Sequence, residues 1–270
     1  MDTFANYILN EKSLASKMEI VYYLSKKENI YFDKSVIFKT ELARIFLKYN
    51  KLELDENLVL TASLLCNCKK VKNVRKIEEI KSYAKNGAQY LENLGFDKRF
   101  CKICEEVNRY SGSNPRERES DVLELVDQFG GMLLDRPERI GFEPDEAIVL
   151  LKYRNLKDKY NRYSEIFIDF INMLESIDMG EFSEVKALKR LRKLYNENSE
   201  LIDFIKKVVN QYEPQVDSLI DKKYKKIKNE MFEEGLKNNR PLFTEETTVK
   251  ILKEMEENNL NFRNNQEENI

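Results

Sequence analysis

The chain contains no histidine, and only eight glycines and five prolines in 270 residues. The first absence excludes the most. Histidine is the usual acid–base group near neutral pH and the commonest metal ligand. Without it, Ser-His-Asp and Cys-His catalytic arrangements are ruled out, as are histidine-dependent zinc and iron centres. Carboxylate, lysine and cysteine chemistry remain open. A basic excess is missing as well: 46 Lys and Arg face 48 Asp and Glu, for a net charge of -2. Nucleic-acid binders draw most of their affinity from such an excess, so no nucleic-acid partner is expected. No window approaches the roughly 18 apolar residues of a membrane span. The opening Met1-Asp2-Thr3-Phe4-Ala5-Asn6 has neither the basic region nor the apolar run of a signal peptide. Four cysteines are too few for a disulfide framework, and a reducing cytoplasm fits them best. Neither a P-loop nor a GxGxxG is present, so no nucleotide cradle of that kind is expected.

What the sequence does carry is helical periodicity. Phe38, Leu42, Ile45, Phe46 and Tyr49 line one face of a helix from Lys34 to Tyr49. A second, from about Asp55 to Cys66, carries Leu58, Val59, Ala62, Leu65 and Cys66. A third, Ile77 to Leu94, ends at Gly95, a residue suited to the position just past a helix end. Glu143-Pro144-Asp145-Glu146 reads as a helix start, with proline at the first helical position and acids in the first turn. No useful strand alternation occurs, and the expectation is an all-α chain. A boundary is expected near Asn155 to Lys159, followed by long amphipathic helices. Ile166, Phe167, Phe170, Ile171 and Leu174 form one stripe there. Leu188, Leu191, Leu194, Leu201, Ile202, Ile205, Val208 and Tyr212 form others, and Val216, Leu219, Ile220, Tyr224, Ile227 and Met231 follow Pro214. The lysines from Lys222 to Lys228 read as a solvated face. The expected parts are N-terminal helices at 1–33, a domain at 34–154, a helical region at 155–255 and a disordered tail at 256–270.

Several segments resemble the HD-GYP family of metal-dependent phosphodiesterases. The stretch from Glu119-Ser120-Asp121-Val122-Leu123-Glu124-Leu125-Val126-Asp127 through Asp135-Arg136-Pro137-Glu138-Arg139 is similar to the family's "ILxVADxxDAMxxDRPYR". Ala62-Ser63-Leu64-Leu65-Cys66-Asn67-Cys68-Lys69-Lys70 resembles "AALLHDIGK", with Cys66 and Asn67 at the histidine and aspartate and Lys70 retained. Tyr83 falls at the histidine of "HPxxGAxxL". Glu105 and Glu106 fall at the paired histidines of "HHExxDGxGYP", whose closing proline is Pro115. An earlier family histidine aligns near Ser35. The resemblance spans roughly Lys34 to Lys152. It implies an HD-domain-like helical bundle, which the long amphipathic C-terminal helices read from the spacing would follow. In the family these positions hold two or three metal ions that activate water against a cyclic dinucleotide. Here only Asp127 matches by residue type, and one carboxylate cannot hold a two-metal centre. The implied protein is therefore a degenerate member without catalytic residues, expected metal or cofactor. An inherited scaffold does not carry the function once its site is gone.

Other readings attach to the same residues. The stripe Val122, Leu125, Val126 and Phe129 places Asp127 towards the opposite face, and Leu123 and Leu134 make that face apolar too. A carboxylate there needs a partner: a residual cation or phosphate, or an internal pair with Lys70 or an arginine. Cys101 and Cys104, with Cys66, offer a thiolate zinc alternative. Cys66 and Cys68 diverge by about 200° if both are helical. Buried apolar cysteines are the commoner outcome. Glu105, Glu106, Asn67 and Tyr83 offer oxygen ligands for Mg²⁺ or Ca²⁺. Arg109, Arg116, Arg136 and Arg139 are candidate phosphate contacts. The leading expectation is a cytoplasmic regulatory or scaffold protein, binding a protein partner or a second copy through its C-terminal helices. The alternatives are a sensor that binds a nucleotide or phosphate without hydrolysing it, and a phosphohydrolase with substituted ligands.

Overall fold

The computed structural model describes residues 3–71, 77–108, 114–134, 140–158 and 161–176, with Lys193, Tyr195, Leu201, Phe204 and Ile205 beyond them. The chain divides into two compact units. One is Met1–Tyr22 with Ile30–Tyr212, and the other is Tyr23–Asn29 with Glu213–Ile270. Apart from Tyr23–Asn29, the described residues all belong to the first. The described residues are helical and contain no strand. In order they form α1 (Phe4–Asn10), α2 (Leu14–Glu28), α3 (Lys34–Asn50), α4 (Glu56–Leu65), α5 (Ile77–Asn93), α6 (Lys98–Glu105), α7 (Arg118–Leu133), α8 (Pro144–Asp158) and α9 (Ser164–Ser176). No helix among them is long and apolar enough to cross a membrane.

The helix ends follow from local chemistry. Asp33, Asp55 and Asp97 each cap a helix, accepting bonds from the free amides of the first turn (Asp33 Oδ1 from Ser35 N at 2.9 Å, Asp97 Oδ1 from Phe100 N at 2.8 Å). Helix α5 ends as its glycine suggested. Gly95 sits at φ +91°, and Phe96 N reaches back to Leu91 O at 3.2 Å. Pro144 opens α8 with Asp145 and Glu146 in its first turn. That helix ends at Asp158, inside the stretch where a boundary was expected, and α9 beyond it packs back on both α8 and α3.

Helix α3 is buried nearly all round, from Val36 to Ala43 and from Ile45 to Leu47, with Lys39, Thr40 and Glu41 among the buried residues. It packs on α4, α7 and α9. Phe46 meets Phe167 and Phe170 at centroid distances of 4.9 and 5.3 Å, and Phe129 meets Phe167 at 5.5 Å. These edge-on and tilted aromatic pairs form the centre of the core. Of the Ile166 stripe, Phe167, Phe170 and Ile171 are buried and Ile166 is exposed. Tyr195 lies edge-on to Phe38 and to the buried Phe204, which ties this part of the chain to α3. The remaining C-terminal stripes lie outside the described residues, as does the 256–270 tail.

One buried cation serves the packing alone. Lys17 donates to Ile8 O and, at 2.6 Å, to Thr61 Oγ1, linking α1 to α4. Burial lowers its amine to about 8, against the opposing pull of Glu11.

Candidate functional site

Three helices converge on Asp127. Helix α3 brings Val36 and Lys39; the end of α4 brings Ser63, Cys66 and Asn67; α7 brings Leu123, Val126 and Asp127. Between them lies a cavity of about 10 Å³, the room of a single water molecule. Lys39 Nζ donates to Asp127 Oδ1 at 2.9 Å, and Asn67 Nδ2 donates to the same oxygen at 2.9 Å. The lysine side chain is 6% exposed and the aspartate 28%.

The backbone explains how Lys39 reaches that oxygen. Its stem crosses α7 at Gly130, where an added Cβ would lie 2.8 Å from Lys39 Cγ. A side chain at that position would block the path. Asn67 is fixed by the turn that follows α4, with Cys68 N bonded to Leu65 O and Lys70 N to Asn67 O. Burial alone would raise the Asp127 carboxyl, but Lys39, Lys70 and the two hydrogen bonds outweigh it and hold the group down at about 2. Lys70 acts at a distance, with its amine 5.3 Å from the Tyr31 ring.

The other aligned positions divide into two groups. Cys66 and Tyr83 are buried beside Asp127. Burial first, and then the Asp127 charge, push both the thiol and the phenol well above their ordinary values. Glu105 and Glu106 do not line this cavity. Glu105 is exposed, whereas Glu106 is buried at the start of α7. There its Oε2 accepts from Glu117 N at 2.8 Å and Ser120 Oγ at 2.9 Å, capping α7 from outside with an acid.

Glu106 opens a second polar centre. Arg116 pairs through Nη1 with Glu124, lies 3.5 Å from Asp121, and donates through Nη2 to Glu106 O at 2.7 Å. Arg162 holds the other Asp121 oxygen at 2.8 Å. Arg116, a candidate phosphate contact, is thus taken up by internal carboxylates. Arg109, Arg136 and Arg139 lie outside the described residues, as does the Asp135-Arg136-Pro137 motif.

The cysteines are all buried and free. Cys66 caps α4, and Cys68 lies in the following turn, so the helical divergence expected of them does not apply. Burial keeps them protonated: Cys68 is pushed up to about 12 and Cys101 to about 11. Among the described residues, no three Cys, Asp or Glu side chains converge to hold a metal ion. The groups around Asp127 also fit such an ion poorly. They comprise one carboxylate already bonded to an ammonium, an amide that donates to it, a protonated thiol and a protonated phenol.

Sequence reasoning did not single out Lys39, Asp121, Glu124 or Arg162. The available signal was a charge inside an apolar surround, Lys39 within Val36-Ile37-Phe38-Lys39-Thr40 and Glu124 between Leu123 and Leu125. A charge in such a setting is buried and must be paired. No family model matches this chain, and no match to it was found among curated proteins or solved structures.

Proposed function

We propose that this chain is a non-catalytic, HD-GYP-like regulatory or scaffold protein that acts through protein–protein contacts. One observation carries the reading: the single ligand-type carboxylate that the motifs leave, Asp127, is bonded to Lys39 and Asn67 of the chain itself. A carboxylate engaged in this way is a structural ion pair, and its neighbours Cys66 and Tyr83 are held in their neutral forms. Fold-bearing helices around a self-satisfied site suit a scaffold better than an enzyme. The contact surface is supported by α8, where Val149 and Tyr153 stand one turn apart at 66% and 63% exposure. The amphipathic stripes beyond position 212 are further candidates, on sequence alone.

The nucleotide-sensor reading draws less support, because the cavity at Asp127 has room for one water and Arg116 is engaged by Glu124. The experiment is direct. Purified protein should leave cyclic di-GMP and related cyclic dinucleotides intact, with or without added Mn²⁺ or Mg²⁺. Hydrolysis that Asp127→Ala abolishes would overturn the proposal.

A further inference from the structure

We propose that two copies of this chain pair through α8, antiparallel, about a two-fold axis at Val149. The proposal rests on the reading that the chain acts through protein–protein contacts, and names the partner as a second copy.

Helix α8 turns Ala147, Ile148 and Leu151 into the core and leaves Asp145, Glu146, Val149, Lys152 and Tyr153 exposed. Val149 sits in the middle of that outer face. At about 100° per residue, Asp145 and Lys152 fall on one side of it, and Glu146 and Tyr153 on the other. The members of each pair stand about two turns apart. Side chains on one helix meet at three or four residues, so Asp145 and Lys152 cannot satisfy each other. Among the described residues, neither enters an ion pair. Glu146 uses Oε2 to accept from Glu143 N at 3.0 Å, which leaves Oε1 for a further donor.

A parallel copy would set acid against acid along one edge and lysine against lysine. An antiparallel copy reverses the order. Val149 then faces the partner's Val149, Asp145 meets the partner's Lys152, and the partner's Tyr153 hydroxyl donates to Glu146. Each polar contact occurs twice, as a two-fold axis requires. The outer face of α8 is thus complementary to itself in one orientation, with an apolar centre and matched charges at its flanks. Its 15 residues run only about 22 Å. One helix crossing of that length falls short of the roughly 1,200–2,000 Å² of a stable interface, so the pairing is weak and reversible.

The experiment is sedimentation equilibrium of the full chain, with cross-linking beside it. Wild type should dimerise with a dissociation constant of about 10⁻⁵ to 10⁻⁴ M, as interfaces below standard size do. Val149→Glu, at an exposed position, places two like charges at the axis and should weaken association by about tenfold or more. Asp145→Lys and Lys152→Asp should each weaken it less. An equal mixture of those two variants should associate more tightly than either alone, because each lysine of one chain then meets an aspartate of the other. Under oxidised glutathione, Val149→Cys should link two chains, since the axis brings the two positions together. Lys152→Cys, about 9 Å from its mate along the helix, should not. The native cysteines are buried and do not compete. A wild type still monomeric at about 10⁻³ M overturns the proposal. So does a dimer that Val149→Glu leaves intact, or equal cross-linking of the two cysteine variants. A monomeric chain that hydrolyses no cyclic dinucleotide would keep the functional reading and lose this one.

Discussion

Helix α7 carries two polar centres, and their acids respond to burial in opposite ways. Asp127 is held at about 2, whereas burial raises Asp121 and Glu124 despite the arginines beside them. The difference lies in the cations available to each carboxylate and in the hydrogen bonds that Asp127 receives. Asp127 draws on both Lys39 and Lys70, with the Asn67 amide as a further donor, and these outweigh its burial. Asp121 and Glu124 are each 2% exposed and share Arg116, and only Asp121 has Arg162 as well. Position on one helix therefore does not fix the ionisation of an acid; the supply of partners from other helices does.

The largest effect is expected at Arg116. Arg116→Ala would leave Glu124 with the Gln128 amide but no cation, deprive Asp121 of one partner, both out of water, and remove the donor to Glu106 O. Losing one partner of a buried pair costs about 3–5 kcal/mol. Urea unfolding of the variant should show a loss of that order. A loss under about 1 kcal/mol would mean that water reaches these carboxylates in solution.

Acid titration separates the two centres next. The folded value of Asp127 lies below its unfolded value, so its contribution is complete above about pH 4 and is lost as pH falls towards 2. The size is at most about 2 kcal/mol. Asp121 and Glu124 have the opposite sign. Their raised values penalise the charged forms, so their contribution to stability grows as pH falls through those values towards the ordinary carboxylate range. Melting temperatures of wild type and Asp127→Asn should differ near neutrality and converge as pH approaches 2. A difference that is constant over that range would show that Asp127 does not titrate as its surroundings imply.

A smaller test concerns the gap at Gly130. Alanine in a helix interior is favoured over glycine by about 1 kcal/mol, but here its Cβ would meet Lys39 Cγ at 2.8 Å. Gly130→Ala should therefore bring little of the usual gain, and the Asp127 carboxyl should titrate about one unit higher by NMR as Lys39 is pushed aside. A variant stabilised by the full alanine increment with Asp127 unmoved would show that Lys39 has another path to it.

Much of the helical framework was legible, because apolar periodicity and aspartate caps act within a few residues of each other. The stripe Phe38, Leu42, Ile45 and Phe46, the Gly95 end of α5 and the Pro144 start of α8 all occur where spacing places them. The burial of α7 on both faces was legible for the same reason. Its partners were not. Lys39 lies 88 positions from Asp127, and Arg162 lies 41 from Asp121, separations that no local pattern encodes. The expected internal partner was Lys70 or an arginine; Lys70 contributes its charge, while the direct bond comes from Lys39. The stretch from Asn155 to Lys159 shows the same limit. A helix does end there, at Asp158, but the return of Phe167 and Phe170 to Phe46 of α3 is a distant contact that helical spacing does not reveal.

The last contrast comes from two adjacent glutamates that the aligned motifs could not distinguish. Glu105 and Glu106 stand at the end of α6, one residue or about 100° apart, enough to send one to solvent and the other into the Arg116 centre. Glu106→Gln keeps the shape but gives up the negative charge at the α7 N-terminus and weakens the acceptor for Ser120 and the Glu117 amide. It should cost about 1–3 kcal/mol. Glu105→Gln should change stability by less than about 0.5 kcal/mol, as exposed substitutions do. Paired chemical unfolding of the two variants measures the contrast. Equal costs would mean that the pair acts together, as joint ligands would, and that the division between the two centres on α7 is drawn in the wrong place.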